Sequence, residues 1–288
     1  MPTLTERFEE LLRRASTTLP PDVERRLREC ADAEGDTPAG ATLRQMLENA
    51  AQASQGGTPI CQDTGTLIFH VDYGPGYRQK TIVEAIQQAC VAATGKYVLR
   101  PNAVDPVTGK NSGNNLGVGF PTIHLHEMDE PGLRARLMLK GGGSENVGAQ
   151  YRLPDSRLKA GRDLEGIRRC VIDAVFQAQG KGCAPGALGV GIGGDRGSSF
   201  IESKEQLFRA LDDVNPDPAL AELEARLHRE LNELGIGPMG FGGKTTVLGV
   251  KIGARHRVPA SYFVSVTYIC WAYRRASMAL HGEEVTYA

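Results

Sequence analysis

The sequence has no C-x-x-C pair, no long apolar run and no excess of either charge, and each absence removes a class of protein. Six cysteines, Cys30, Cys61, Cys90, Cys170, Cys183 and Cys270, are widely scattered. Zinc-ribbon and thioredoxin readings therefore have no support. Lysine and arginine total 33 against 34 aspartates and glutamates, a net charge of -1. No basic excess points to nucleic acid, and no basic block points to a lipid surface. No apolar stretch is long enough to span a bilayer. The N-terminal Met1-Pro2-Thr3-Leu4-Thr5-Glu6-Arg7 lacks the basic start and apolar run of a signal peptide. The expected compartment is the cytoplasm, where thiols stay reduced and a disulfide framework is not expected. There is no internal repeat and no disordered linker.

What remains is ordinary globular composition: 288 residues, 41% hydrophobic and 23% charged, enough to bury a substantial core. Thr3 and Glu6 have capping-box spacing, and Leu4, Phe8, Leu11, Leu12 and Ala15 make a helical stripe. Two more helical stripes follow, ending near Gly35 and at Gly56-Gly57. Leu67, Phe69 and Val71 alternate with Ile68, His70 and Asp72, which reads as a strand. A helix over Ile82–Ala93 precedes a long polar loop from about Arg100 to Gly119. A loop of that length inside a compact domain is functional or disordered. Strands are expected at 123–125, 135–139, 188–194, 247–252 and 262–269. Helices are expected at 167–178 and, after a polar segment, on the leucine stripe 220–234. Arg274-Arg275 reads as a polar, basic turn. The irregular order of strands and helices favours α+β over a doubly wound sheet: a helical N-terminal segment, then mixed and antiparallel sheets flanked by helices, with the chemistry on loops.

The cysteines divide by context. Cys30, Cys90 and Cys170 lie on apolar helical stripes and read as core filling. Cys61 and Cys183 sit in loops among glycines and prolines, and Cys270 ends a strand. Core packing, a zinc site and a cluster site all remain open for Cys61. Three loop thiolates can hold three irons of a cubane, leaving the fourth as a Lewis acid. Gly189-x-Gly191-x-x-Gly194 matches the dinucleotide fingerprint by letter, but a βαβ context is not evident and close backbone packing explains it as well. Gly243-Lys244-Thr245 lacks the first glycine of a P-loop, since Pro238 stands there. His124 and His126 share one strand face, where exposed histidines are commoner than metal ligands. Gly141 to Gly143 can present backbone N–H groups to an anion, and the fork of Arg100 suits a carboxylate.

Four stretches occur together: Pro59-Ile60-Cys61-Gln62-Asp63-Thr64-Gly65, Lys140-Gly141-Gly142-Gly143-Ser144-Glu145-Asn146, Gly182-Cys183-Ala184-Pro185 and Cys270-Trp271-Ala272-x-Arg274-Arg275. In motif and order, over nearly the whole chain, they resemble the iron–sulfur-dependent class I fumarases and tartrate dehydratases. The resemblance implies one cluster-binding α-subunit domain over 1–288. It implies a [4Fe-4S] hydro-lyase acting on a small dicarboxylate. Cys61, Cys183 and Cys270 fall at the cluster ligands. Gln62 and Asp63 fall at substrate-contacting positions, and Asp63 is a candidate for catalysis. Arg100 falls near a carboxylate-binding arginine, and one of Gly142 and Gly143 should offer a backbone contact. His256 falls roughly where a family histidine reaches the site.

Single-chain members of that family carry a C-terminal domain with a threonine–lysine group. This sequence stops after Tyr287-Ala288 and so resembles the α subunit of the two-subunit form. A β subunit, within an α-subunit dimer or an α2β2 assembly, is the expected partner. A non-catalytic cluster scaffold is the alternative, and a nucleotide-binding enzyme stands behind it. The Gln62-Asp63 pair and Arg100 speak against a scaffold, which needs no carboxylate site.

Overall fold

A computed structural model describes residues 2–288. The chain opens with helices α1 (Leu4–Thr17), α2 (Pro21–Glu34) and α3 (Pro38–Gly56). Strand β1 (Thr66–Tyr73), helix α4 (Gln79–Gly95), strands β2 (Thr122–Glu127) and β3 (Leu133–Lys140), short helix α5 (Gly142–Asn146) and strand β4 (Ala149–Arg152) follow. Then come α6 (Leu164–Ala178), β5 (Gly186–Gly193), α7 (Arg196–Gln206), α8 (Pro218–Asn232), β6 (Val247–Arg255), β7 (Phe263–Ile269), β8 (Arg274–His281) and β9 (Glu284–Tyr287). The class is α+β with a helical start, as the sequence pattern implies. The chain divides into two compact units.

The first unit comprises the residues up to Pro20, Glu48–Gly142 and Arg274–Ala288. Its sheet has the order β2-β1-β3-β8-β9. β1 runs parallel to β2 and antiparallel to β3. One face packs on α1 and α4: Phe8, Leu11 and Leu12 meet Leu67, Phe69 and Leu137, with Ile82, Ile86 and Cys90 from α4. The predicted capping box starts α1, with the Glu6 N–H donating to Thr3 Oγ1 at 3.2 Å and the Thr3 N–H to Glu6 Oε2 at 2.6 Å.

The second unit comprises Pro21–Leu47 and Gly143–Tyr273, and its sheet has the order β4-β7-β5-β6. Leu188, Val190 and Ile192 of β5 join the leucine row of α8 and the apolar stripe of α6 in one core. The other face of β5 is glycine, and α7 presses onto it. A Cβ at Gly189 would stand 1.9 Å from the Ser203 carbonyl oxygen, and one at Gly191 2.1 Å from that of Ser199. Hydroxyls close the contact: Ser199 Oγ donates to the Gly191 carbonyl at 2.9 Å, and Ser203 Oγ and Thr267 Oγ1 are 2.6 Å apart.

Two sequence readings are corrected here. The polar segment before α8 contains α7, whose buried face is Ser199, Glu202 and Ser203 and so shows no apolar stripe. The Arg274-Arg275 turn is instead the start of β8, and Arg274 is only 1% exposed. A buried guanidinium in a core-facing row breaks the alternation by which a strand is read.

The face of the first unit's sheet turned away from α1 and α4 carries a row of basic side chains, His70, His124, His126 and Arg136. His70 pairs in register with His124 on one side and Arg136 on the other. The His70 and His124 rings are 4.5 Å apart, and His126 Nδ1 is 3.6 Å from Asp72 Oδ1. His70 is 2% exposed. Burial, then the charges of His124, Arg136 and His126, push its pKa down to about 3. An unfolded histidine titrates near 6.5. Below that pH the unfolded chain takes up a proton that folded His70 refuses until about pH 3. Stability therefore rises with pH across this window and is lost as pH falls through it. The denaturation free energy should drop by about 1–2 kcal/mol more between pH 7 and pH 5 in the wild type than in His70→Gln. Equal drops in urea titrations would contradict this account of His70.

Candidate active site

In the first unit, the Cys61 loop and the glycine loop after β3 meet at one end of the sheet, because Thr66 pairs with Lys140. Ile60 anchors the Cys61 loop: its N–H donates to the Ser16 carbonyl at 3.0 Å, and its carbonyl accepts from Asn49 Nδ2 at 2.9 Å. Gly65 has φ 78°, and a Cβ there would stand 2.5 Å from the Lys140 carbonyl carbon and oxygen. Only glycine lets the two loops come so close.

The Asp63 carboxylate joins these loops. Its Oδ1 accepts from the Gly65 N–H at 3.0 Å and its Oδ2 from the Gly142 N–H at 2.7 Å. Hydrogen bonds to an ionised acceptor are the strong ones. A Cβ at Gly141 would stand 3.1 Å from Asp63 Oδ2 and 3.6 Å from Arg274 Nη2, so carboxylate and guanidinium flank the same point. Arg274 Nε and Nη1 are buried and make no hydrogen bond. An arginine is always charged, and burial of that charge calls for an anion nearby.

Arg100 joins this group. Its N–H donates to Thr64 Oγ1 at 3.1 Å, and its Nη1 reaches the Gln62 carbonyl at 3.4 Å, with the side chain exposed. The polar loop behind it is ordered by Asn115, which is 1% exposed. Asn115 Oδ1 accepts from the Asn102 N–H at 2.7 Å, and Nδ2 donates to the Arg100 carbonyl and to Thr94 Oγ1, each at 2.8 Å. Asn102 Nδ2 in turn donates to Thr64 Oγ1 at 3.0 Å. Gln62, Asp63 and Arg100 are thus assembled, while the Gly142 N–H expected to meet a ligand is engaged by Asp63. Gly143 belongs to the second unit and is exposed. Thr64, Asn115 and Arg274 carry the arrangement and went unassigned in the sequence. Arg274 had a signal, its place in the Cys270-Trp271-Ala272-x-Arg274-Arg275 motif.

In the second unit, Cys183 and Cys270 come to the same end of the sheet. β5 begins just after Cys183, β7 ends at Ile269, and Ala187 pairs with Ile269. The Trp271 N–H donates to the Cys183 carbonyl at 3.2 Å. Cys183 is exposed, with φ 56°, and Cys270 is 9% exposed. Cys90 and Cys170, by contrast, are fully buried, and burial pushes both thiols up to about 12. They fill core space. Among the described residues no three His, Cys, Asp or Glu side chains converge as ligands of a single ion. An iron–sulfur cubane asks for a different arrangement, with each thiolate on its own iron. The soft donors Cys183 and Cys270, on adjacent loops at one sheet end, fit that demand.

His256 is not brought to these cysteines. It follows β6 beyond Arg255, which pairs with Gly193 at the far end of β5. Six strand residues, about 20 Å at ~3.3 Å per residue, separate the two ends. The glycine fingerprint also receives a new context. β5 and β6 are parallel, and α7 begins right after Gly193-Gly194, so the βαβ pattern and the helix start are present after all. Yet Asp195 caps α7, accepting from the Ser198 N–H at 2.9 Å, and its negative charge stands where a phosphate would go. Likewise Glu34 takes the Lys244 and Thr245 N–H groups at 2.6 and 2.7 Å, so the Gly243-Lys244-Thr245 loop already holds a carboxylate.

The family described as fumarate hydratase (Fumerase) matches residues 5–279. This chain belongs to that family. It is 48% identical over 279 residues to a Geobacillus stearothermophilus protein described as a class I fumarate hydratase, covering 96% of this chain and 54% of that protein. It is 36% identical over 273 residues to a Methanocaldococcus jannaschii protein described as an L(+)-tartrate dehydratase subunit alpha, covering 93% of this chain and 94% of that one. The L(+)-tartrate dehydratase subunit alpha of Escherichia coli (strain K12) is 32% identical over 282 residues, covering 97% of this chain and 91% of that subunit. The chain thus spans about half of the Geobacillus protein and nearly all of each subunit.

If Asp63 ties the two loops, Asp63→Asn should loosen both without unfolding the unit. Hydrogen exchange at the Gly65 and Gly142 amides should then speed up by roughly tenfold or more. Unchanged protection at Gly142 would show that the carboxylate does not hold the loop.

Proposed function

We propose that this chain is the cluster-binding α part of a [4Fe-4S] hydro-lyase that adds water to, or removes it from, a small dicarboxylate of the fumarate/malate or tartrate type. The arrangement of Gln62, Asp63 and Arg100 around one loop junction carries the reading, because a cluster holder alone needs no such group. Family membership supports it. Cys61, Cys183 and Cys270 would hold the cluster. When bound, it supplies a Lewis acid at the iron left without a thiolate, which eases departure of a hydroxyl.

The chain's own residues do the rest. Arg100, exposed and tethered at Thr64 and Gln62, receives a substrate carboxylate in its fork. Gln62 orients the substrate beside the first thiolate, and the exposed Gly143 would add a backbone contact. Asp63 is held in place by two backbone N–H groups and is the group that accepts a proton at its carboxylate. His256, at the far end of the sheet from Cys183 and Cys270, has no part in this scheme.

The remaining half of the Geobacillus protein has its counterpart, in this reading, in a β subunit within an α2β2 or similar assembly. The cytoplasm, where thiols stay reduced, is the proposed compartment. No helix among the described residues is long and apolar enough to cross a membrane.

The test is anaerobic reconstitution with iron and sulfide, with and without a co-expressed β subunit, assaying fumarate, tartrate and mesaconate. Wild type should load a cluster and turn over one of them only with the partner. Cys61→Ala should lose iron and activity. Asp63→Asn should keep iron and lose activity by about 100-fold or more. Equal iron and sulfide in wild type and Cys61→Ala would overturn the cluster assignment, and full activity from the single chain would overturn the subunit assignment.

A further inference from the structure

β8 begins with a charge where its neighbours are apolar. Ala276, Met278 and Leu280 belong to the first unit's core, and Arg274 heads the same alternate row. A leucine or methionine at this position would continue the row without taking a charge out of water. The guanidinium Nε and Nη1 are buried and make no hydrogen bond. Nη2 lies 3.6 Å from where a Cβ of Gly141 would stand, and Asp63 Oδ2 lies 3.1 Å from the same point. Gly141 has no positive φ, so backbone torsion does not call for glycine there. Its missing side chain keeps that point open beside both groups.

Asp63 does not use up the charge of Arg274. Its two oxygens accept from the Gly65 and Gly142 N–H groups instead. The buried guanidinium is therefore left for another anion, and a charge-assisted bond away from water is a strong one. Gly142, next to this point, is exposed, and Asp63 is half-buried, so a ligand can approach from the glycine loop. The pairing of groups has a chemical meaning. Removing a proton from a carbon next to a carboxylate needs a base for the proton and a cation for the charge that spreads into the carboxylate oxygens.

We propose that Arg274 binds the second carboxylate of a dicarboxylate ligand, while Arg100 holds the first. As Asp63 accepts the proton from the adjacent carbon, the C–H electron pair spreads into that carboxylate beside the guanidinium. It then forms the C=C bond as the hydroxyl leaves with the electrons of its C–O bond. The inference rests on the dicarboxylate hydro-lyase reading and adds the cation for the carboxylate that Arg100 does not hold.

The experiment uses the anaerobically reconstituted chain with its partner and measures binding rather than turnover. Succinate, with two carboxylates, and butyrate, with one on a chain of the same length, are titrated into wild type, Arg274→Gln and Arg274→Lys. Arg274→Gln should bind succinate roughly tenfold or more weakly, with butyrate affinity within about twofold of wild type. Arg274→Lys should recover part of the succinate affinity, because it restores the charge without the fork. A merely structural role for Arg274 would weaken both ligands alike. Equal losses for succinate and butyrate, or unchanged succinate affinity in Arg274→Gln, overturn the proposal. If the Arg274 variants fail to fold, Gly141→Ala replaces them, since its methyl group would fill the point of approach. Succinate should then bind more weakly while butyrate does not, and wild-type succinate affinity in Gly141→Ala overturns the proposal. A wild type that binds no succinate sinks the underlying dicarboxylate reading instead, a result distinct from equal affinities in variant and wild type.

Discussion

One carboxylate organises one end of the first unit's sheet. Asp63 accepts the N–H of Gly65 on its own loop and that of Gly142 on the loop after β3. That pair of bonds fixes where Gln62 and Cys61 stand relative to the sheet, and Arg100 reaches the same loop through Thr64 and Gln62. The glycines around it follow from the same constraint. Gly65 lets the loop pass over the Lys140 carbonyl, and Gly141 leaves room for the Asp63 carboxylate beside the buried Arg274 guanidinium. Sheet register brings the strand ends together, and the carboxylate converts that proximity into a defined loop geometry.

The second unit solves a similar problem with apolar and hydroxyl packing. β5 is lined on one face by leucine, valine and isoleucine against α6 and α8, and on the other by glycines against α7. The strand pairing then delivers Cys183 and Cys270 to one end. Acidic caps elsewhere in the unit work against phosphate. Asp195 and Glu34 occupy the backbone N–H groups of the two loops that look most like nucleotide sites.

Much of this was legible in the sequence. Helices with apolar stripes and caps, such as α1 and α8, announce themselves because burial there follows the helical period. The loop cysteines stood apart from Cys90 and Cys170 because they lay among Gly and Pro rather than on a stripe. Other features were hidden for physical reasons. α7 buries serines against glycines, and no hydrophobicity pattern marks such a face. Arg274 is a charge in a core-facing strand position, so β8 read as a turn. Asn115 acts through hydrogen bonds to residues up to 21 positions away, which local spacing does not display. The family resemblance put His256 near the site, but it follows β6 at the end of the sheet opposite Cys183 and Cys270.

The central claim is that three thiolates of this chain hold a cubane whose fourth iron is open to a dicarboxylate. Mössbauer spectroscopy of the assembly reconstituted with 57Fe under anaerobic conditions tests it most directly. The account predicts one iron distinct from the other three, with parameters that change when a dicarboxylate substrate is added. Four equivalent irons, unaltered by the dicarboxylate, would contradict it.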